Sequence, residues 1–181
     1  MTQRLWVPTG LQVDRSQMNL FRKFINDQHG LNIEEYGELH DWSVKNIAEF
    51  WLAVWDFSEL ISSYAASEIV DDSNKMPGAQ WFTGTRLNFA ENLLRYQDDQ
   101  PAIIYQAEGR KPYTTSYKQL YQTVSRISQA LQDAGVQPGD RVVGFVPNMP
   151  IAVFAMLACT AIGAIWSSCS PDFGITGVLD R

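Results

Sequence analysis

A strand–helix–strand pattern in the second half of the sequence restricts the fold more than any other feature. The run RVVGFV (141–146) is apolar on consecutive positions, as the strands of a buried parallel sheet are. Pro150 suits the first turn of a helix, and residues 151–162 are apolar nearly all round, which indicates a helix packed on several sides. Gly163 ends this helix, and residues 164–167 form another short apolar run. The short connections predict two adjacent parallel strands joined by a right-handed crossover, with the helix covering one face.

A second helix is predicted from Tyr117 to Ala134. Ser116 and Gln119 have the spacing of a capping box, and Gly135 supplies the carboxyl-terminal stop. Its apolar side chains repeat at the helical period: Leu120, Val124, Ile127, Leu131 and Ala134. Strands are predicted before it, at 101–106 and in KPYTTSY. The predicted fold class is therefore α/β: a helical amino-terminal region followed by the first part of an open parallel α/β sheet.

The pattern of residues 1–85 differs from that of the second half and predicts short helices rich in aromatic side chains. Met18, Phe21 and Ile25, with Phe24 beside them, form one helical stripe. The segment IVDDSNKMPGAQ is expected to be an exposed connector. Four aromatic side chains of this region could either stack on a ligand or pack against protein: Phe50, Trp51, Trp55 and Trp81. We expect them to be largely buried against protein. Truncating a buried Trp51 to Ala is then expected to cost about 3–5 kcal/mol.

Charge and composition exclude several classes of function. The formal charge of −6, with Lys and Arg scattered, argues against a nucleic-acid partner or an anionic membrane surface. The longest apolar run, 151–162, is too short to span a bilayer, so no membrane partner is expected. Two cysteines form neither a disulfide framework nor a zinc site, and the first residues lack the apolar run of a secretory signal. These features predict a cytoplasmic chain.

The carboxyl ends of the predicted parallel strands are where ligands of such sheets bind. No G-x-G-x-x-G or G-x-x-x-x-G-K-[ST] phosphate loop follows either strand. The loop SCSPDFG offers Ser170 and Asp172, which could face a ligand or cap the helix expected near Gly174. Neither two distant histidines nor Cys159 and Cys169 complete a nucleophilic set. The residues alone predict no catalytic residue and no metal site.

The order of motifs resembles the opening of the adenylate-forming acyl-CoA synthetases. The stretch GVQPGDRVVGFVPNMPIAVFAMLACTAIGAIWSS has their G-D-x-V strand, P-N-x-P loop, apolar helix and G-A strand. WFTGTRLNFAENLL is similar to a W-F-x-G-x-x-L-N segment of the acetyl- and acetoacetyl-CoA synthetase branch. The tryptophan-rich start and WSSCSPDFGITGVLDR are most similar to the acetoacetate type, whereas acetyl-type members have His-Ser and Gly-Gly-Phe at the latter positions.

This resemblance implies an acid–thiol ligase that converts acetoacetate, ATP and CoA to acetoacetyl-CoA, AMP and pyrophosphate, with Mg²⁺. The family's phosphate loop, aromatic-Thr-Glu motif, ribose-binding Asp and carboxyl-terminal Lys have no counterpart in these 181 residues. The resemblance places Ser170, Pro171 and Asp172 beside the CoA pantetheine path. It further implies an inactive amino-terminal portion of a ligase whose remainder is missing, with residues 1–85 as its amino-terminal region and 86–181 as the start of its adenylation domain. The alternatives are an acetyl- or propionyl-type ligase and a stand-alone α/β ligand-binding or interaction module.

Overall fold

The computed structural model describes residues 5–181, so the first residues of the predicted 1–85 region lie outside it. The chain divides into two compact units, one up to Arg86 and the other from Leu87 onward. The helices are α1 (Gly10–Asp14), α2 (Gln17–His29), α3 (Tyr36–Lys45), α4 (Ile47–Phe57), α5 (Phe89–Leu93), α6 (Tyr117–Asp133), α7 (Pro150–Ala161) and α8 (Ile175–Leu179). The strands are β1 (Glu68–Val70), β2 (Trp81–Thr83), β3 (Pro101–Tyr105), β4 (Tyr113–Ser116), β5 (Arg141–Phe145) and β6 (Ile165–Cys169). Across residues 5–181, none of the helices combines the length and apolarity needed to cross a membrane.

The core of the first unit is built by α2, α3 and α4. The predicted stripe of α2 is confirmed for Phe21 and Ile25, which are buried, whereas Met18 is exposed. The left-handed φ of 62° at Gly30 ends the helix, and its N–H donates to the Asn26 carbonyl. The buried side chains of this core are Phe21, Ile25, Ile33, Leu39 and Ala53.

The prediction that the four aromatic side chains are largely buried is wrong for two of them. Trp51 is 45% exposed and Trp81 is 38% exposed. Their rings meet edge to face at 6.2 Å, and with Phe82 they line an apolar groove of about 370 Å³. Phe82 has a left-handed φ of 47°, and its ring stacks on Trp55 at 4.6 Å. The cost of 3–5 kcal/mol expected for a core truncation therefore does not apply to Trp51.

The predicted connector is correct for its exposed middle and wrong for its start. Ile69 and Val70 belong to β1, which pairs antiparallel with β2 in the register Val70↔Trp81. The loop between these strands is closed by Asp71, whose carboxylate accepts hydrogen bonds from Lys75 Nζ at 2.6 Å and Gln80 N at 2.8 Å. The Lys75 side-chain bond is the main cause that lowers the pKa of Asp71 to about 2.

The second unit contains the predicted crossover. β5 and β6 are adjacent and parallel, in the register Arg141↔Ile165 to Phe145↔Cys169, and α7 packs against both. β3 and β4 form a separate antiparallel pair. On one face of the parallel pair, Val143, Phe145 and Ile165 are more than half exposed.

Helix α6 confirms the predicted capping box. The Ser116 N–H donates to Gln119 Oε1 at 2.9 Å, and the Gln119 N–H donates to Ser116 Oγ at 3.3 Å. Leu120 and Val124 are buried, as their helical spacing predicts. Helices α5, α6 and α7 supply the buried core of this unit: Ala90, Leu94, Leu120, Val124, Leu157 and Ala158.

Asn88 joins two of these helices with a single side chain. Its Oδ1 accepts from the Glu91 N–H at 3.1 Å, which caps the amino terminus of α5. Its Nδ2 donates to the carbonyls of Thr160 at 3.0 Å and Ala161 at 3.1 Å, at the carboxyl terminus of α7. Asn88 therefore supplies hydrogen bonds to backbone groups at the amino end of α5 and at the carboxyl end of α7.

Gly144 is predicted to tolerate no side chain, because the Trp166 ring covers it. A Cβ at Gly144 would lie 2.4 Å from Trp166 Cη2. We expect Gly144→Ala to reduce the free energy of unfolding by about 1–3 kcal/mol through overpacking. Gly37→Ala is the control, since a Cβ there meets nothing within 4 Å on α3 and removing a helical glycine adds about 0.5–1 kcal/mol. Urea denaturation of both variants checks this, and an unchanged midpoint for Gly144→Ala would contradict it.

The two roles of Asn88 can be separated by substitution. Asn88→Ala removes the cap and both donors, and we expect a loss of about 1–3 kcal/mol in the free energy of unfolding. Asn88→Asp retains an acceptor for the Glu91 N–H but places a carboxylate against two carbonyls at a helix carboxyl terminus. Thermal denaturation should therefore show Asn88→Asp to be at least as destabilised as Asn88→Ala. A near-wild-type Asn88→Asp would show that the bonds to α7 contribute nothing.

Candidate functional site

The candidate site lies where the parallel strands β5 and β6 end together. The register pairs Phe145 with Cys169, and the Val146 N–H donates to the Cys169 carbonyl at 3.1 Å. The loops that follow both strands therefore leave the sheet at the same edge. This edge is where open α/β sheets bind their ligands.

The loop after β6 is held by contacts between its own residues. Ser170 Oγ donates to Asp172 Oδ2 at 2.8 Å, the Asp172 N–H donates to Ser170 Oγ at 3.3 Å, and the Phe173 N–H donates to the Ser170 carbonyl at 3.1 Å. Ser170 is half-buried, while Pro171 and Asp172 are exposed. The loop thus presents a carboxylate to solvent from a closed turn.

The capping role that the sequence left open for Ser170 or Asp172 is not observed. Helix α8 has Gly174 as its N-cap residue, and no side chain caps it. The Ser170 hydroxyl and the Asp172 carboxylate bind each other instead, so the turn leaves its polar groups at the sheet edge rather than on the helix.

An apolar groove of about 200 Å³ adjoins this loop. Its walls come from β5, the loop and α8: Phe145, Phe173, Ile175, Val178 and Leu179. The Arg181 guanidinium lies 4.2 Å from the centre of the Phe173 ring, and its Nη1 donates to the Gly177 carbonyl at 2.7 Å. The edge therefore combines one carboxylate, one cation and an apolar surface, which can hold a ligand but contains no paired nucleophile and base.

The cysteines and histidines take structural positions. Cys169 is 2% exposed at the end of β6, and Cys159 is buried in α7, where burial raises the pKa of its thiol. His29 lies at the exposed end of α2 beside the Trp42 ring, and His40 lies 3.8 Å from Asp41 on the surface of α3. The raised pKa makes the Cys159 thiol a poor nucleophile.

The potential metal ligands are dispersed over the described residues. Residues 5–181 contain no group of three or more His, Cys, Asp or Glu side chains placed to hold a metal ion. Asp172, the carboxylate of the site, is bound to Ser170 rather than grouped with other acids.

Two family models match adjoining parts of the chain. The model described as the acetyl-coenzyme A synthetase N-terminus matches residues 36–93, and the model described as AMP-binding enzyme matches residues 89–178. The second match includes β5, α7, β6 and the Ser170–Asp172 loop. It therefore contains the candidate site except for Leu179 and Arg181.

Individual relatives extend the similarity to nearly the whole chain. An acetoacetyl-CoA synthetase of Macaca fascicularis is 43% identical over 99% of this chain and 27% of its own length. An acetoacetyl-coenzyme A synthetase of Rhizobium meliloti (strain 1021) is 44% identical over 98% of the chain and 27% of its own length. The solved acetoacetyl-CoA synthetase from Streptomyces lividans has a TM-score of 0.89 and 39% identity, covering 99% of this chain and 28% of that one.

The chain thus spans about a quarter of the length of the relatives it matches. Its fold and its sequence agree with them from the amino-terminal helices to α8, and the two family models together match residues 36–178. The chain belongs to the AMP-binding enzyme family, in the branch that includes the acetoacetyl-CoA synthetases.

Proposed function

We propose that this chain forms part of an ATP-dependent acid–thiol ligase that joins acetoacetate to coenzyme A. In this reaction a carboxylate oxygen of acetoacetate attacks the α-phosphorus of ATP and pyrophosphate leaves. The CoA thiolate then attacks the acyl carbon and AMP leaves. The observation that carries the proposal is agreement along nearly the whole chain, rather than at one motif, with proteins named acetoacetyl-CoA synthetases.

The CoA pantetheine arm is the ligand that we assign to the loop Ser170, Pro171 and Asp172. Pantetheine carries two amide groups on a flexible apolar chain. The exposed Asp172 carboxylate can accept an amide N–H, and the neighbouring apolar groove can pack the methylene groups. Because the same carboxylate repels the CoA phosphates, the nucleotide end of CoA would lie away from this turn.

The ATP and Mg²⁺ of the proposed reaction have no binding groups among the residues described above. In the proposed ligase they are held by the phosphate loop, acidic residue and lysine that the family resemblance assigns to other segments. We place the ligase in the cytoplasm, which the two free thiols of Cys159 and Cys169 support.

The proposal is tested by acetoacetate-dependent exchange of pyrophosphate into ATP. The polypeptide made from the complete reading frame is expected to catalyse it. Residues 1–181 alone are expected to show no exchange and to bind ATP no more tightly than millimolar, because the groups that stabilise the transition-state charge are absent together. Pyrophosphate exchange above background by the purified 181-residue chain would contradict the proposal that the catalytic groups lie in other segments of the ligase.

Replacing the acid in the same assay tests the substrate. We expect the polypeptide from the complete reading frame to use acetoacetate with a kcat/KM about tenfold or more above that for acetate or propionate. Equal use of acetate would favour the acetyl-type alternative. Failure to exchange with any acid would favour a ligand-binding or interaction module.

The role of the loop is tested by Asp172→Ala in the polypeptide from the complete reading frame. Losing one hydrogen bond to pantetheine should raise the KM for CoA about threefold to tenfold. Pyrophosphate exchange should be unchanged, since adenylation precedes the CoA step. Asp180→Ala, an exposed carboxylate at the end of α8, is the matched control and should alter neither quantity. Equal effects of Asp172→Ala on exchange and on KM for CoA would contradict the assignment.

A further inference from the structure

A polar groove of about 370 Å³ lies in the second unit, lined by β4, α6 and the Phe154 side chain of α7. Its volume is at the lower end of the range of small-molecule sites, roughly 300–1000 Å³. The proposed ligase reaction makes no use of it. The residues that line it all belong to the second compact unit.

Helix α6 turns a polar face toward this groove. The side chains of this face follow the helical spacing i, i+3, i+4 and i+7: Gln119, Gln122, Thr123 and Arg126. This face is distinct from the apolar stripe of α6, which packs in the core. The amide and hydroxyl groups of α6 therefore line the same groove as Thr114 and Thr115 of β4.

Several hydrogen-bond donors of the groove have no partner within the described residues. Thr115 is only 8% exposed, and its hydroxyl takes part in none of the hydrogen bonds between residues 5 and 181. Arg126 takes part in no ion pair among the described residues. Both groups line the groove, so a ligand oxygen can accept hydrogen bonds from them.

The charge of the groove selects an anion. Arg126 is its one cationic side chain, and no Asp or Glu lines it, in a chain whose formal charge is −6. A guanidinium offers a planar fork of N–H donors that suits phosphate oxygens. Three threonine hydroxyls and two glutamine side chains supply more donors than the two oxygens of a carboxylate require.

We propose that this groove binds a small phosphate monoester. Its phosphate is held by Arg126 and the threonine hydroxyls, including that of Thr115. Its organic part packs on the rings of Phe154 and Tyr113, which line the same groove. The site is separate from the edge assigned to CoA, and the proposal does not depend on the acetoacetate ligase activity.

The test is calorimetric titration of the 181-residue chain with phenyl phosphate, inorganic phosphate and benzoate. We expect phenyl phosphate to bind with a submillimolar Kd and the other two to bind at least several-fold more weakly. Amide chemical shifts should change in β4 and α6. Equal binding of inorganic phosphate would overturn the role of the rings, and equal binding of benzoate would overturn the phosphate assignment. Absence of phenyl phosphate binding would overturn the proposal.

Substitutions locate the binding. Arg126→Gln should weaken phenyl phosphate binding about tenfold or more. Arg110→Gln, in the exposed β3–β4 loop outside the groove, should leave it unchanged. Thr115→Val should weaken binding about threefold, because it removes one of the hydroxyls that are proposed to hold the phosphate. Equal effects of the two arginine variants, or a Thr115→Val that lowers the Tm and leaves binding intact, would show that these residues have only structural roles.

Discussion

The carboxyl end of α7 is the joint on which the second unit depends. A helix leaves its last carbonyls without partners, and here Asn88 Nδ2 pairs with those of Thr160 and Ala161. Gly163 follows with a φ of 78°, and its carbonyl accepts from the Gly139 N–H at 2.9 Å. The backbone angle favours glycine there, and a Cβ would lie in tight contact with Pro138 Cβ at 3.3 Å. One short stretch thereby fixes α5, α7, the turn before β5 and the start of β6.

The elements that could be predicted from sequence are those specified by local patterns. The strands at 101–106, 141–146 and 164–167 and the helix between the last two follow from periodicity and chain stops, and the structure confirms them. The burial of Trp51 could not be predicted in this way. The spacing of Trp51 on α4 fits a packed face. In the structure, however, its ring contacts Trp81 of β2 and remains 45% exposed, and the local helical pattern carries no information about this contact with a separate strand. The β1–β2 pair was missed because three-residue strands carry too little alternation to distinguish them from a loop.

The two candidate ligand-binding regions differ in how well they could be predicted from the sequence. The loop Ser170–Asp172 was indicated by its place after an apolar strand, and its assignment to CoA rests on family resemblance. Residue types alone left capping open, because the same side chains cap helices and bind ligands. In the structure Gly174 is the N-cap residue of α8, so neither Ser170 nor Asp172 caps that helix. The Arg126 groove gave no sequence signal, since polar side chains on the outer face of an amphipathic helix usually contact water. The groove forms because β4 lies beside these polar side chains of α6.

The exposed face of the parallel pair connects the fold to the proposed ligase. Val143, Phe145 and Ile165 are 63%, 56% and 52% exposed, although parallel strands are normally covered on both faces. Helix α7 covers only one face, so the apolar character of the other indicates packing against further polypeptide. The relatives are several times longer than this chain and have room to supply it. Because Phe145 also lines the groove beside the Ser170–Asp172 loop, covering that face would fix the wall of the proposed CoA site as well as the sheet. Stability of the sheet and geometry of the site would then be coupled through one side chain.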